Sequence, residues 1–157
     1  MSIKLHFPVG KTRMDDLGEL LEQSVANHEL LCLGQVLGVR LAMQNCREVG
    51  IDDPKPSRDQ VVYVQIDRCA TDAIQSVTSC KLGKRTLKLM DFGKMAATFY
   101  NLHENRAVRV LARNHSRDRA KEYGSATGST KGSKTQAYIK VEDSDLFVVA
   151  PVRAKLR

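Results

Sequence analysis

The chain predicts an α+β fold in one domain, with N-terminal helices packed on a mixed β-sheet. Two amphipathic helical stretches fill its first fifty residues, β-branched runs dominate after residue 60, and the strict strand–helix alternation of a doubly wound fold is missing. At 157 residues it can bury one continuous core without a metal or disulfide to hold it together, so a metal here would be functional rather than structural.

The first helix is expected over residues 14 to 27, where Leu17, Leu20, Leu21 and Val25 recur at helical spacing opposite Asp15, Asp16, Glu19, Glu22 and Gln23. Acidic residues at its start suit the positive end of a helix dipole. A second helix is expected from Leu33 to Glu48, with Val36, Leu37, Val39 and Leu41 as its stripe and Gly50 as its stop. Gly34 and Gly38, four apart, form a thin face that invites close approach of another backbone.

After the turn cluster Asp52 to Ser57, Gln60 to Ile66 reads as a strand that runs into Cys69. Residues 69 to 79 read as a helix, placing Cys69 at a strand-to-helix junction where backbone N–H groups favour a thiolate or an anion. Short strands are expected at 86 to 90 and 95 to 100 around Asp91-Phe92-Gly93, then at 107 to 111. Residues 114 to 135 change character, from a basic helix to a mobile Gly/Ser/Thr-rich loop. Leu146 to Ala150 is the last strand, ending near Pro151.

Hydrophobic content of 42% and charged content of 27% fit a globular chain, and no apolar run is long enough to cross a bilayer. The N-terminus has no apolar segment of a secretory signal, which makes the cytoplasm the default compartment. There Cys32, Cys46, Cys69 and Cys80 stay reduced. Net charge is −3 over residues 1 to 79 and +10 over residues 80 to 157, so an anionic partner would meet the second half. The basic stretch around Arg109, Arg113, Arg117, Arg119 and Lys121 carries no interleaved aromatics, which argues against nucleic acid and for a solvated face.

His28, Cys32, Cys69 and Cys80 are the candidate metal ligands, because mixed thiolate and imidazole donors match zinc and related borderline divalent ions. Their spacing is not that of a zinc finger. His28 and Cys32, four apart, share a face if the first helix continues through both, while Cys69 and Cys80 must be brought in by the fold. Asp72 and Gln75 lie on one face of the third helix with Cys69 and could orient a ligand or substrate. Lys84 and Lys94 each follow a glycine, but neither pair meets the phosphate-loop pattern, so they are read as anion-binding residues only. Two other classes stand beside the metal reading: an enzyme with Cys69 as a thiolate nucleophile and a small anionic substrate against Lys84 and Lys94, and a binder of nucleic acid or an acidic partner through the basic half.

Cys32-Leu33-Gly34 with Gly38 to Ala42, Cys69 with Asp72 to Gln75, Cys80 with Leu82-Gly83-Lys84, and Asp91 to Lys94 with Ala96 to Phe99 occur in an order that resembles the formylmethanofuran dehydrogenase E-subunit (FmdE) family over residues 14 to 111. The family pattern Phe-His-Gly-His-x-Cys-Pro-Gly lays Asn27 on the Phe, His28 on the first His, Leu30 on the second His and Leu33 on the Pro. No cysteine follows Cys80 in these 157 residues, so the zinc finger of longer relatives is not expected among them. The resemblance implies an α+β domain, a homodimer, and a metal-binding accessory role alongside the other components of a molybdenum- or tungsten-dependent C1 oxidoreductase. It does not imply that this chain performs redox chemistry itself.

Overall fold

A computed structural model describes residues 16–114 and 131–153. Helix α1 (Leu17–His28) starts under Asp16, whose carboxylate accepts the Glu19 amide at 2.9 Å, and ends at Glu29, a left-handed residue whose N–H returns to the Val25 carbonyl. Helix α2 (Leu33–Val49) follows, with Cys32 as its N-cap and Gly50 closing it at φ 74°. The chain then forms β1 (Gln60–Val64), α3 (Cys69–Thr78), a 3₁₀ turn (Leu82–Lys84), β2 (Leu87–Leu89), β3 (Ala96–Asn101), β4 (Arg106–Ala112), α4 (Lys131–Lys140), a short α5 (Asp143–Leu146) and β5 (Phe147–Val152).

The five strands make one mixed sheet in the order β2-β1-β3-β4-β5. β1 and β2 are parallel because α3 crosses between them, and the other pairs are antiparallel. Register puts Phe99 between Val62 and Val108, and Ala97 between Val64 and Val110, so every second residue of three central strands enters the core. On that face α2 supplies Val36, Val39 and Leu41, α1 supplies Leu20 and Leu21, and α3 supplies Ala73, Ile74 and Val77.

Buried polar groups tie the layers together. Gln60, at the start of β1, donates to the carbonyls of Pro54 and Thr78, which fastens the end of α3 to the sheet. Arg40 on α2 donates to the Tyr138 carbonyl at 2.7 Å and to Asp143 at 2.6 Å, locking α4 and α5 onto α2.

One expectation is corrected, the loop before the last helices, and two others meet the structure closely. The first helix ends at His28, close to the expected end at residue 27, because Glu29 turns left-handed, so the condition under which His28 and Cys32 would share a helix face is not met. The loop expected to reach residue 135 gives way to α4 from Lys131, while residues 115–130, where the basic helix and most of the Gly/Ser loop were expected, lie outside the described residues. The last strand ends near Pro151 as expected, at Val152, with Pro151 itself paired to Val108; β5 is an edge strand, where a missing N–H breaks no ladder.

Candidate metal centre

The close packing of α2 on α3 builds the site. A methyl group at Gly38 would lie 2.5 Å from the Ala70 carbonyl oxygen and 2.8 Å from the Ala73 β-carbon, so only glycine lets α3 approach this closely. One turn earlier, the space beside Gly34 is bounded by the Cys69 β-carbon at 3.1 Å and the Cys32 sulfur at 3.8 Å. The thin face therefore delivers the first residue of α3 to the cap of α2. The end of α1 docks on the same place, with Asn27 donating to Ser76 and His28 Nδ1 meeting Asp72 Oδ2 at 3.1 Å.

These contacts bring one donor atom each of His28, Cys32 and Cys69 within 4.8 Å of one another, on three different helices or their caps. All three side chains are half-buried. Desolvation, then the hydrogen bond with Cys32 and the charge of that neighbour, push the Cys69 thiol up, and Asp72 adds to the effect. That is the reverse of what an activated nucleophile needs. Two thiolates this close repel each other, and a dication in place of their protons removes the repulsion.

Asp72 stands one turn after Cys69 on α3 and engages Nδ1 of His28, which leaves Nε2 as the ring's remaining nitrogen. A carboxylate on the far nitrogen of a ligating imidazole fixes its tautomer and raises its basicity. Leu30, on the turn between His28 and Cys32, is 69% exposed and offers no donor.

Cys80 does not join the group. It lies beyond the far end of α3, whose ten residues separate it from Cys69 by about 15 Å of helix. It is 2% exposed within the core cluster, its amide donates to the Thr78 hydroxyl at 3.2 Å, and burial pushes its thiol up. There it approaches Cys46, whose buried thiol is raised further by the charge of Cys80. Cys80 behaves as a small apolar residue. Lys84 sits exposed on the 3₁₀ turn at that same distant end, and Gln75 lies half-buried two turns along α3, so neither lines the cluster. Lys94 precedes β3 and, with Leu33 and Gly34, borders a cavity on the other side of the α2 start. Arg113, which the sequence puts in a basic stretch read as a solvated face, borders this cavity too.

Comparison with known proteins agrees with this architecture. A probable S-adenosyl-L-methionine-binding protein of Archaeoglobus fulgidus is 30% identical over 97 residues, which is 60% of this chain but only 26% of that protein. The crystal structure of a tungsten formylmethanofuran dehydrogenase FmdE-like protein from Syntrophus aciditrophicus superposes with a TM-score of 0.68 at 19% identity, covering 88% of this chain and 73% of the other, and so shares the fold. The family model described as FmdE, molybdenum formylmethanofuran dehydrogenase operon, matches residues 27–148, from the end of α1 into β5. With most of its length under that match, the chain belongs to the FmdE family.

Proposed function

We propose that this chain is a metal-binding accessory protein serving a molybdenum- or tungsten-dependent formylmethanofuran dehydrogenase or a related C1 oxidoreductase. In this reading His28, Cys32 and Cys69 hold a divalent transition ion, and the donor chemistry favours zinc. The observation that carries it is the convergence of two sulfurs and an imidazole within 4.8 Å from three separate helical elements. A site with three protein ligands keeps one tetrahedral position open, the arrangement of reactive rather than purely structural zinc. The bound ion would supply Lewis acidity at that position. The chain's own residues do the rest: Asp72 orients His28, and Gly34 and Gly38 keep the two sulfurs at a shared seam.

The same reading makes the protein a cytoplasmic homodimer that meets the other components of the dehydrogenase. Four free cysteines suit a reducing compartment, and the apolar side chains of Leu89, Met90 and Phe92, exposed beside the β2 edge, suit a protein contact. No helix among the described residues is long and apolar enough to cross a membrane.

Metal analysis of protein purified without added metal tests the centre. We expect about one equivalent in the wild type, consistent with a single three-ligand site, and a loss of most of it in Cys69→Ser and Cys32→Ser. Equal metal content in wild type and both variants rejects the ligand assignment.

A further inference from the structure

We propose that the cavity between the start of α2, the turn before β3 and the end of β4 binds a small organic oxyanion, a carboxylate or phosphate monoester carrying an apolar body. The cavity has a volume of about 390 Å³. That falls at the small end of the roughly 300–1,000 Å³ range of ligand sites and leaves more room than a bare inorganic anion fills.

Its lining is divided by chemistry. Leu37, Met95 and Leu111 form an apolar wall, Lys94 and Arg113 bring two cations, and among the described residues no Asp or Glu belongs to the lining. Arg113 is held in place before any ligand arrives. Its Nε donates to the Ser144 carbonyl at 3.0 Å and the Phe147 carbonyl at 3.1 Å, and its backbone N–H donates to the Leu146 carbonyl. The two terminal guanidinium nitrogens have no partner among the described residues, so a fixed, planar fork remains to grip an oxyanion. Lys94 is fixed at its backbone, whose N–H donates to the Gln65 carbonyl at 3.1 Å, while its ammonium also has no partner among the described residues.

The third contribution comes from α2. Cys32 caps it without a side-chain hydrogen bond, so the first-turn amides of Leu33 and Gly34, both residues of the lining, are unmatched among the described residues. The positive end of a seventeen-residue helix thus adds to two cations in one apolar-walled space. Gly34 separates this cavity from the sulfurs of Cys32 and Cys69, and the anion site does not depend on a metal.

Calorimetric titration of the full chain with octanoate, phenyl phosphate and the neutral probe benzyl alcohol tests the proposal, on protein as purified and after EDTA. At least one oxyanion should bind, and the two oxyanion arms show whether carboxylate or phosphate is preferred. The alcohol should bind about tenfold more weakly or not at all, as expected for loss of a charge-assisted contact. Arg113→Gln should weaken the anion by about tenfold, and Arg113→Lys, which keeps the charge but not the fork, by less. Because Arg113 also holds two carbonyls, Lys94→Gln on an exposed turn gives an independent check and should weaken binding several-fold. Binding should survive EDTA. The proposal is overturned by failure of both oxyanions to bind, by equal affinity for the alcohol, by unchanged affinity in both Lys94→Gln and Arg113→Gln, or by loss of binding on chelation, which would assign the anion to a metal instead.

Discussion

Gly38 and Ala70 touch backbone to backbone: a β-carbon on Gly38 would stand 2.7 Å from the α-carbon of Ala70, inside any permitted contact. This single approach sets the distance between α2 and α3, and with it the meeting of Cys32 and Cys69. Gly38→Ala should therefore act on both stability and the site. Overpacking of this kind costs about 1–3 kcal/mol, or more where backbone must yield. Urea unfolding of Gly38→Ala should show that loss and metal analysis a lower content. Gly83→Ala is the control, since nothing lies within 4 Å of the added methyl, and its midpoint should hardly move.

Much of this arrangement is legible in the sequence, and the exceptions have physical reasons. The stripes of α1 and α2, the stop at Gly50 and the β-branched run of β1 lie where the sequence predicts them, because local periodicity and burial demand the same conformation there. Gly34 and Gly38 announce a close backbone and meet one. The helix α4 is not legible because Gly132 and Ser133 are poor helix formers; packing of Ala137 and Tyr138 in the core and the bond from Arg40 to the Tyr138 carbonyl hold it, and none of these is local information. At the site, residue types are informative and distances are not. His28 and Cys32 approach through the Glu29 turn rather than along a helix, and Cys80, only eleven positions from Cys69, lies at the opposite end of the intervening helix.

Asp72 is 58% exposed, so its removal should leave folding nearly unchanged while altering His28. Loss of an outer carboxylate partner lowers metal affinity by about 10–100-fold in comparable centres. Asp72→Ala should show a drop of that size in competition with a chromophoric chelator, with urea midpoints close to wild type. Asp72→Asn, which can still accept a hydrogen bond from Nδ1, should fall between them. Unchanged affinity in Asp72→Ala would make the contact to His28 incidental.

Cys80→Ser and Cys69→Ser should have opposite profiles. The first places a hydroxyl in the core beside Cys46, at a cost of about 1–3 kcal/mol if it finds no partner and less if the Thr78 or Thr86 hydroxyls accept it. Its metal content should match the wild type. Cys69→Ser changes a half-buried side chain at the start of α3 and should unfold near the wild-type midpoint while losing most of its metal. A Cys80→Ser protein that folds normally and lacks metal would return Cys80 to the ligand set.

Cys46 makes the fold sensitive to alkali. Burial first, then the charge of Cys80, push its thiol far above the ordinary value of 9.0, with Arg47 opposing weakly. Below that value the thiol is protonated in both folded and unfolded chains and stability does not depend on it. Above it the unfolded chain releases the proton and the folded chain keeps it, so the unfolded state binds fewer protons and stability falls as pH rises. One such thiol contributes a slope of about 1.4 kcal/mol per pH unit beyond its unfolded value. Urea midpoints of the wild type should decline between about pH 8 and about pH 10.5, the range that brackets an ordinary thiol. Cys46→Ala should decline less steeply from a starting point lowered by its small cavity. Parallel declines in the two proteins would mean that Cys46 ionises as readily in the core as in water, which its burial beside Cys80 does not allow.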